Sequence, residues 1–273
     1  MNGTILNRKI KHKRNPNKMR LKDLFVLDHK MEEGVIYPDV DSVIRYLSSE
    51  NIRNALEKLS LSNNKKGFMD FLNTISISKF KIRFKHDPYE VALSKYEDAG
   101  IRSAETETLG RLKGYIFVGI NIRQLMKNSL SKEGWNKFLS VLRTVIGHEI
   151  IHRKTNEKIS DKILKAQLKK YINSANARTR DEFRSYYSDL GELMSYGWQT
   201  VEELRDAGYS KEDIKQFLRY PWSTTIPTEH SYTAYTYKKL FKNKQGEYKD
   251  VIRKYLSYVY SYLNKFPDKL FKE

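Results

Sequence analysis

Residues 144–154 read T-V-I-G-H-E-I-I-H-R-K. Two histidines stand four apart, a glutamate follows the first, and the group closes an apolar run. A helix turns about 100° per residue, so His148 and His152 fall about 40° apart, on one face and one turn from each other. A single helix must place two imidazoles this way to offer both to one metal ion. Glu149 falls at about 100° on the same wheel, within the stripe formed by Trp135, Phe138, Leu142, Val145 and Ile146. A carboxylate among apolar neighbours is costly unless it has a partner or a task. Beside a catalytic zinc ion (Zn2+) it has both: it takes a proton from an activated water and passes it to a leaving amine.

Catalytic zinc takes three protein ligands and keeps one position open. No third histidine follows at short spacing, because His152 leads into R-K-T-N-E-K. The stretch Y-Y-S-D-L-G-E-L-M-S-Y-G, residues 186–197, is the best source of the missing ligand. There Glu192 lies between Leu190, Leu193 and Met194, flanked by Tyr187 and Tyr196. Glu182, Asp189 and His230 stay open as alternatives, and Asp181 or Asp189 is available to orient a ligand histidine. An oxyanion also needs a donor. P-T-E-H-S-Y-T-A-Y-T-Y, residues 227–237, offers His230, Tyr232 and Tyr235 for that role, with loop and core packing as the other reading.

On these residues the chain resembles the gluzincin metallopeptidases, with H-E-x-x-H on one helix and a glutamate ligand on a later one. The resemblance spans about residues 75–200, and only the H-E-x-x-H part is specific. It implies that His148, His152 and Glu192 bind zinc, that Glu149 is the general base, and that the activity is endopeptidase. It further implies that G-Y-I-F-V-G-I-N-I-R, residues 114–123, is an edge strand beside the cleft. The tyrosine-flanked glutamate is similar to metallopeptidases encoded in phage genomes. Two features depart from the family: a lysine-rich insertion separates the two ligand helices, and Tyr196 stands four residues after Glu192, where an aspartate is usual.

Patterning elsewhere points to an α+β, zincin-like fold. A small, mostly antiparallel sheet is expected against the H-E-x-x-H helix, followed by a helical C-terminal half. Ile75–Phe84 alternates apolar with polar and reads as a half-buried strand, whereas 86–114 reads as loop. Val43, Ile44, Leu47, Ile52, Leu56 and Leu59 predict one or two helices over 41–61, broken by N-N-K-K-G at 63–67. Ser129 or Ser131 is placed to cap the helix that runs through His152. Further helices are expected over 160–175, 180–197 and 247–264. Thr200 with Glu203 and Ser210 with Asp213 read as capping boxes on either side of Gly208, marking a helical hairpin.

The remaining bounds come from composition. The 273 residues carry a formal net charge of +18, which favours an anionic partner such as nucleic acid or an acidic protein surface. Residues 1–22 hold eight lysines and arginines with no acid and read as a basic arm, leaving 23–273 as a single domain. The absence of cysteine excludes disulfides, cysteine–zinc sites and thiol catalysis. No apolar run approaches the ~20 residues of a membrane span, and the N-terminus lacks the apolar core of a signal peptide. A cytoplasmic or virion-associated protein acting on a protein substrate is the expectation, with a non-catalytic assembly or nucleic-acid-associated protein as the alternative. His12, His29 and His86 stand alone in polar stretches and are expected to be exposed.

Overall fold

Apolar residues recurring every three or four positions set most of this chain in helices. The computed structural model describes residues 36–87, 99–107, 110–157, 177–219, 230–241 and 247–271. The basic arm, His12, His29 and the lysine-rich stretch expected as a helix over 160–175 lie outside these residues. In chain order come α1 (Ile36–Leu47), α2 (Glu50–Leu61), α3 (Lys65–Phe80), β1 (Ile82–His86), β2 (Ile101–Thr106) and β3 (Ile116–Ile120). They are followed by α4 (Ile122–Ser129), α5 (Lys132–Glu157), α6 (Arg180–Tyr187), α7 (Leu190–Asp206), α8 (Lys211–Arg219), α9 (Tyr232–Phe241) and α10 (Glu247–Lys265). The fold is α+β and mainly helical, and it is wholly helical from α6 onward among the described residues. None of the described helices is long and apolar enough to cross a membrane.

The sheet corrects two expectations. Its order is β1-β3-β2, with β1 parallel and β2 antiparallel to β3, so it is mixed and not mostly antiparallel. β3 is the central strand, not an edge. All five of its residues are buried, and an apolar run with no polar face suits a strand covered on both sides. The strand lying along α5 is β2, in the stretch that reads as loop. Its composition, I-R-S-A-E-T, lacks the apolar alternation of a strand, and a register shift at Ile101/Ser103 interrupts its pairing.

The strand expected from Ile75 begins only at Ile82. Phe68, Leu72 and Ser76, spaced by four, are all buried, so the helical stripe begun upstream runs through the I-S-I-S alternation. Lys81 takes a left-handed φ of 56° and turns the chain into β1. There Ile82 and Phe84 are buried while Arg83 and Lys85 face out. Asn73 of α3 covers the outer edge of β1, its amide accepting from the Phe84 N–H at 2.8 Å and donating to the Phe84 carbonyl at 3.1 Å.

Caps set the helix ends. Ser131 Oγ accepts from the Gly134 N–H at 3.0 Å and opens α5. The helix expected over 180–197 is two helices, because Asp189 breaks the run and caps α7 by accepting from Gly191 N at 2.9 Å. The Ser210–Asp213 box forms reciprocally. Thr200 does not cap: it lies inside α7 and bonds back to the Tyr196 carbonyl at 2.9 Å. The hairpin turn is closed by Gly208 at φ 87°, with Tyr209 N donating to Leu204 O and Gly208 N to Arg205 O.

α7 is packed between α5 and α10, and glycines allow both approaches. A Cβ at Gly147 of α5 would lie 2.0 Å from Nε1 of Trp198, and one at Gly197 of α7 would lie 2.7 Å from Cβ of Tyr258. Near the same seam Glu202 is fully buried, with Arg205 at 2.6 Å. Burial pushes its carboxyl up to about 7, with Arg205 and Arg143 opposing. Arg143 in turn bonds Asp41 of α1 at 3.1 Å.

Two outcomes are expected. Gly147→Ala drives a methyl into the buried indole of Trp198 and costs about 1–3 kcal/mol in denaturant unfolding, the usual penalty for overpacking. Glu202 binds a proton more tightly folded than unfolded, so stability falls as pH rises from about 4.5 to about 7, by about 3 kcal/mol in all. Glu202→Gln lacks this component. Its stability relative to wild type therefore rises between pH 5 and pH 8, as paired melts at the two pH values will register.

Candidate metal centre

The long α5 carries His148, Glu149 and His152, and the first turn of α7 carries Glu192. The two helices meet where Gly147 lies under Trp198, and Ser195 Oγ of α7 donates to the His148 carbonyl at 3.2 Å. This contact brings Glu192 over the two imidazoles. Nε2 of His148 and Nε2 of His152 stand 3.1 Å apart. The Glu192 carboxylate oxygens lie 3.6 Å and 3.5 Å from them, respectively. One ligand atom from each residue falls within 4.8 Å of the others, so the group could hold a metal ion.

The centre is buried on the α7 side and open at His152. The Glu192 side chain is 2% exposed and that of His152 is 21% exposed. Burial would push the Glu192 carboxyl up, but the His152 and His148 imidazoles outweigh it and hold the acid well below the usual carboxylate range. Burial likewise opposes a charged His152, yet Glu192, with Glu149 and Asp189, lifts it to about 9. The position of Glu192 near the N-terminus of α7 also favours its negative charge.

Glu149 is buried, as its place in the apolar stripe implies. Its partner comes from β2: the Thr106 hydroxyl stands 2.8 Å from Oε2 of Glu149 and 2.9 Å from the Glu149 carbonyl oxygen. Next to this contact a cleft of about 230 Å³ runs along α5, lined by Thr106, Glu107, Lys113, Arg153, Asn156 and Glu157. Tyrosines wall the other side. Tyr196 meets His148 edge to face, with ring centroids 4.7 Å apart, and Tyr187 stacks on Tyr196 at 4.9 Å. Nδ1 of His148 is buried with no hydrogen-bond partner among the described residues. Packing against Tyr196 and the contacts of Nε2 with His152 and Glu192 therefore set the orientation of this ring.

The other residues read from sequence are placed elsewhere. Glu182 closes a capping box with Thr179, accepting from Arg178 N and Thr179 N at 2.8 Å. Asp181 is exposed and pairs with Arg184 at 2.7 Å. Asp189 caps α7, close enough for His152 to feel its charge. His230 is exposed, with Nδ1 2.5 Å from the Tyr209 hydroxyl. Tyr232 opens α9 and is 45% exposed, and neither it nor His230 joins the ligand group. His86 is exposed. Sequence reasoning missed Thr106, since a polar residue in an unrecognised strand carries no local signal. Tyr196 enters the sequence reading as a flank of Glu192 and as a departure from a motif, and the structure adds its contact with His148.

Comparison with protein-family models, curated proteins and solved structures finds no match to this chain.

Proposed function

We propose that this chain is a zinc-dependent endopeptidase, with His148, His152 and Glu192 as metal ligands and Glu149 as general base. One observation carries the reading: three ligand atoms from two helices converge at 3.1–3.6 Å in a mostly buried site. Metal–ligand bonds of 2.0–2.1 Å in a tetrahedron give ligand–ligand edges of about 3.3–3.4 Å. Two imidazoles and one carboxylate are a donor set for zinc or a neighbouring transition metal, whereas calcium and magnesium take oxygen ligands. A metal ion held there supplies Lewis acidity, lowering the pKa of a water and polarising a carbonyl.

The protein's own residues do the rest. The cleft reaches Thr106, the hydrogen-bond partner of Glu149, but its lining includes neither Glu149 nor the three ligands. Glu149, adjoining a ligand in sequence and buried, takes the proton of the attacking water and returns it to the amine nitrogen as the peptide C–N bond breaks. The tyrosine wall keeps water from the α7 side and strengthens each of these interactions.

The expected result is near-stoichiometric zinc by elemental mass spectrometry in the wild type and in Glu149→Gln, and its loss in His148→Ala and Glu192→Ala. Against a quenched-peptide pool the wild type cleaves, and Glu149→Gln is slower by at least about a hundredfold. Zinc retained in Glu192→Ala would move the third ligand elsewhere. Equal turnover by wild type and Glu149→Gln would refute the role of the base.

A further inference from the structure

We infer that Thr106 is the positioning residue of the general base, its hydroxyl holding the Glu149 carboxylate in place both before and after the proton is taken up. This inference rests on the peptidase reading.

Thr106 closes β2, the strand that lies along α5. Ser103 and Glu105 are exposed, while Ala104 and Thr106 are half-buried, so the strand's period of two turns Thr106 toward the helix. β-branching restricts its χ1 and holds the hydroxyl where the strand aims it. The hydroxyl has one proton and two acceptors within reach, both on Glu149: Oε2 at 2.8 Å and the main-chain oxygen at 2.9 Å.

That arrangement suits a group that must gain and lose a proton within each turnover. With Glu149 ionised, Thr106 donates to Oε2, which fixes the rotation of the carboxylate and leaves Oε1 the more basic oxygen. Water then attacks: its O–H bond breaks, the proton goes to Glu149, a C–O bond forms at the substrate carbonyl carbon, and the carbonyl π pair moves onto oxygen. In the neutral interval the proton stays on Oε1, facing the adduct. The Thr106 hydroxyl keeps donating to Oε2, which accepts as the carbonyl-type oxygen of the acid just as it did as a carboxylate oxygen. When the adduct collapses, the C–N bond breaks with its pair left on nitrogen, and the proton passes from Glu149 to that nitrogen. One hydrogen bond holds the side chain throughout, which an apolar residue of the same shape cannot provide.

The test uses the full-length, zinc-loaded chain and the best-cleaved peptide from a quenched pool, with Thr106→Val, Thr106→Ala and Thr106→Ser. Two different hydroxyl deletions keep the comparison usable if one of them does not fold. The expected result is a fall in kcat of about tenfold or more in the folded deletions, with KM within about twofold and zinc content unchanged. Thr106→Ser should recover most of kcat. Unchanged kcat in a folded deletion would overturn the inference, as would a serine variant as impaired as valine. Wild-type protein that binds zinc but cleaves no peptide, matching Glu149→Gln, would overturn the peptidase reading and this inference with it. That outcome is distinct from the other two, in which the wild type is active.

Discussion

The contact of Gly147 with Trp198 is the constraint on which the rest depends. His148 and His152 come from one helix and need only its pitch to share a face. Glu192 comes from another helix, and its carboxylate reaches them only if the two backbones approach closely beside the site. A side chain at 147 would occupy the space of the indole, so the absence of a Cβ there sets the interhelical distance. The indole is itself nearly fully buried, tilted against Phe266 and edge-on to Tyr262 of α10. Hence α10, far from the chemistry in sequence, holds α7 against α5 and so keeps Glu192 over the imidazoles. The glycine that precedes His148 belongs to the site as much as the histidine does.

Burial gives this arrangement its chemical consequence. Charges interact more strongly away from water, and the site gathers Glu192, Glu149 and two imidazoles in a small volume. The Glu192 carboxylate, buried there, calls for a positive neighbour. Its attraction raises His152, while the imidazoles hold Glu192 low. A divalent cation can take over the task with ligands already in place, and little chain has to be ordered to receive it. The tyrosine rings against His148 keep water from the same space.

How much of this was legible in the sequence follows from the range of each interaction. H-E-x-x-H is local, and helical pitch alone places both imidazoles on one face. The burial of Glu149 was equally readable, because an amphipathic stripe of five apolar residues surrounds it on the wheel. Glu192 was found through its apolar neighbours and by resemblance, but its distance from the histidines depends on the α5–α7 contact, and no local pattern encodes that. Thr106 was invisible because β2 holds one aliphatic residue with a large side chain, and its strand character comes from pairing with β3. The I-S-I-S alternation misled for the opposite reason: Phe68, Leu72 and Ser76 continue a helical period that outlasts a four-residue coincidence. The true strand starts after the left-handed turn at Lys81.

Position alone cannot pick the ligand, since α7 buries three glutamates and each meets a different fate. Glu203 accepts from Gln199, from the Ser231 hydroxyl, and from both the N–H and the hydroxyl of Thr233. Donors satisfy it, and it ties α7 to α9. Glu202 faces Arg205, a fixed cation with no lone pair to share. Glu192 alone of the three faces groups that can themselves be ligands, two imidazole nitrogens 3.1 Å from each other. Two acceptors so close to a carboxylate are repulsive unless a proton or a metal ion lies among them. That electrostatic requirement falls on Glu192 alone of the three, and it is what makes this carboxylate the one able to join the two imidazoles in holding a metal ion.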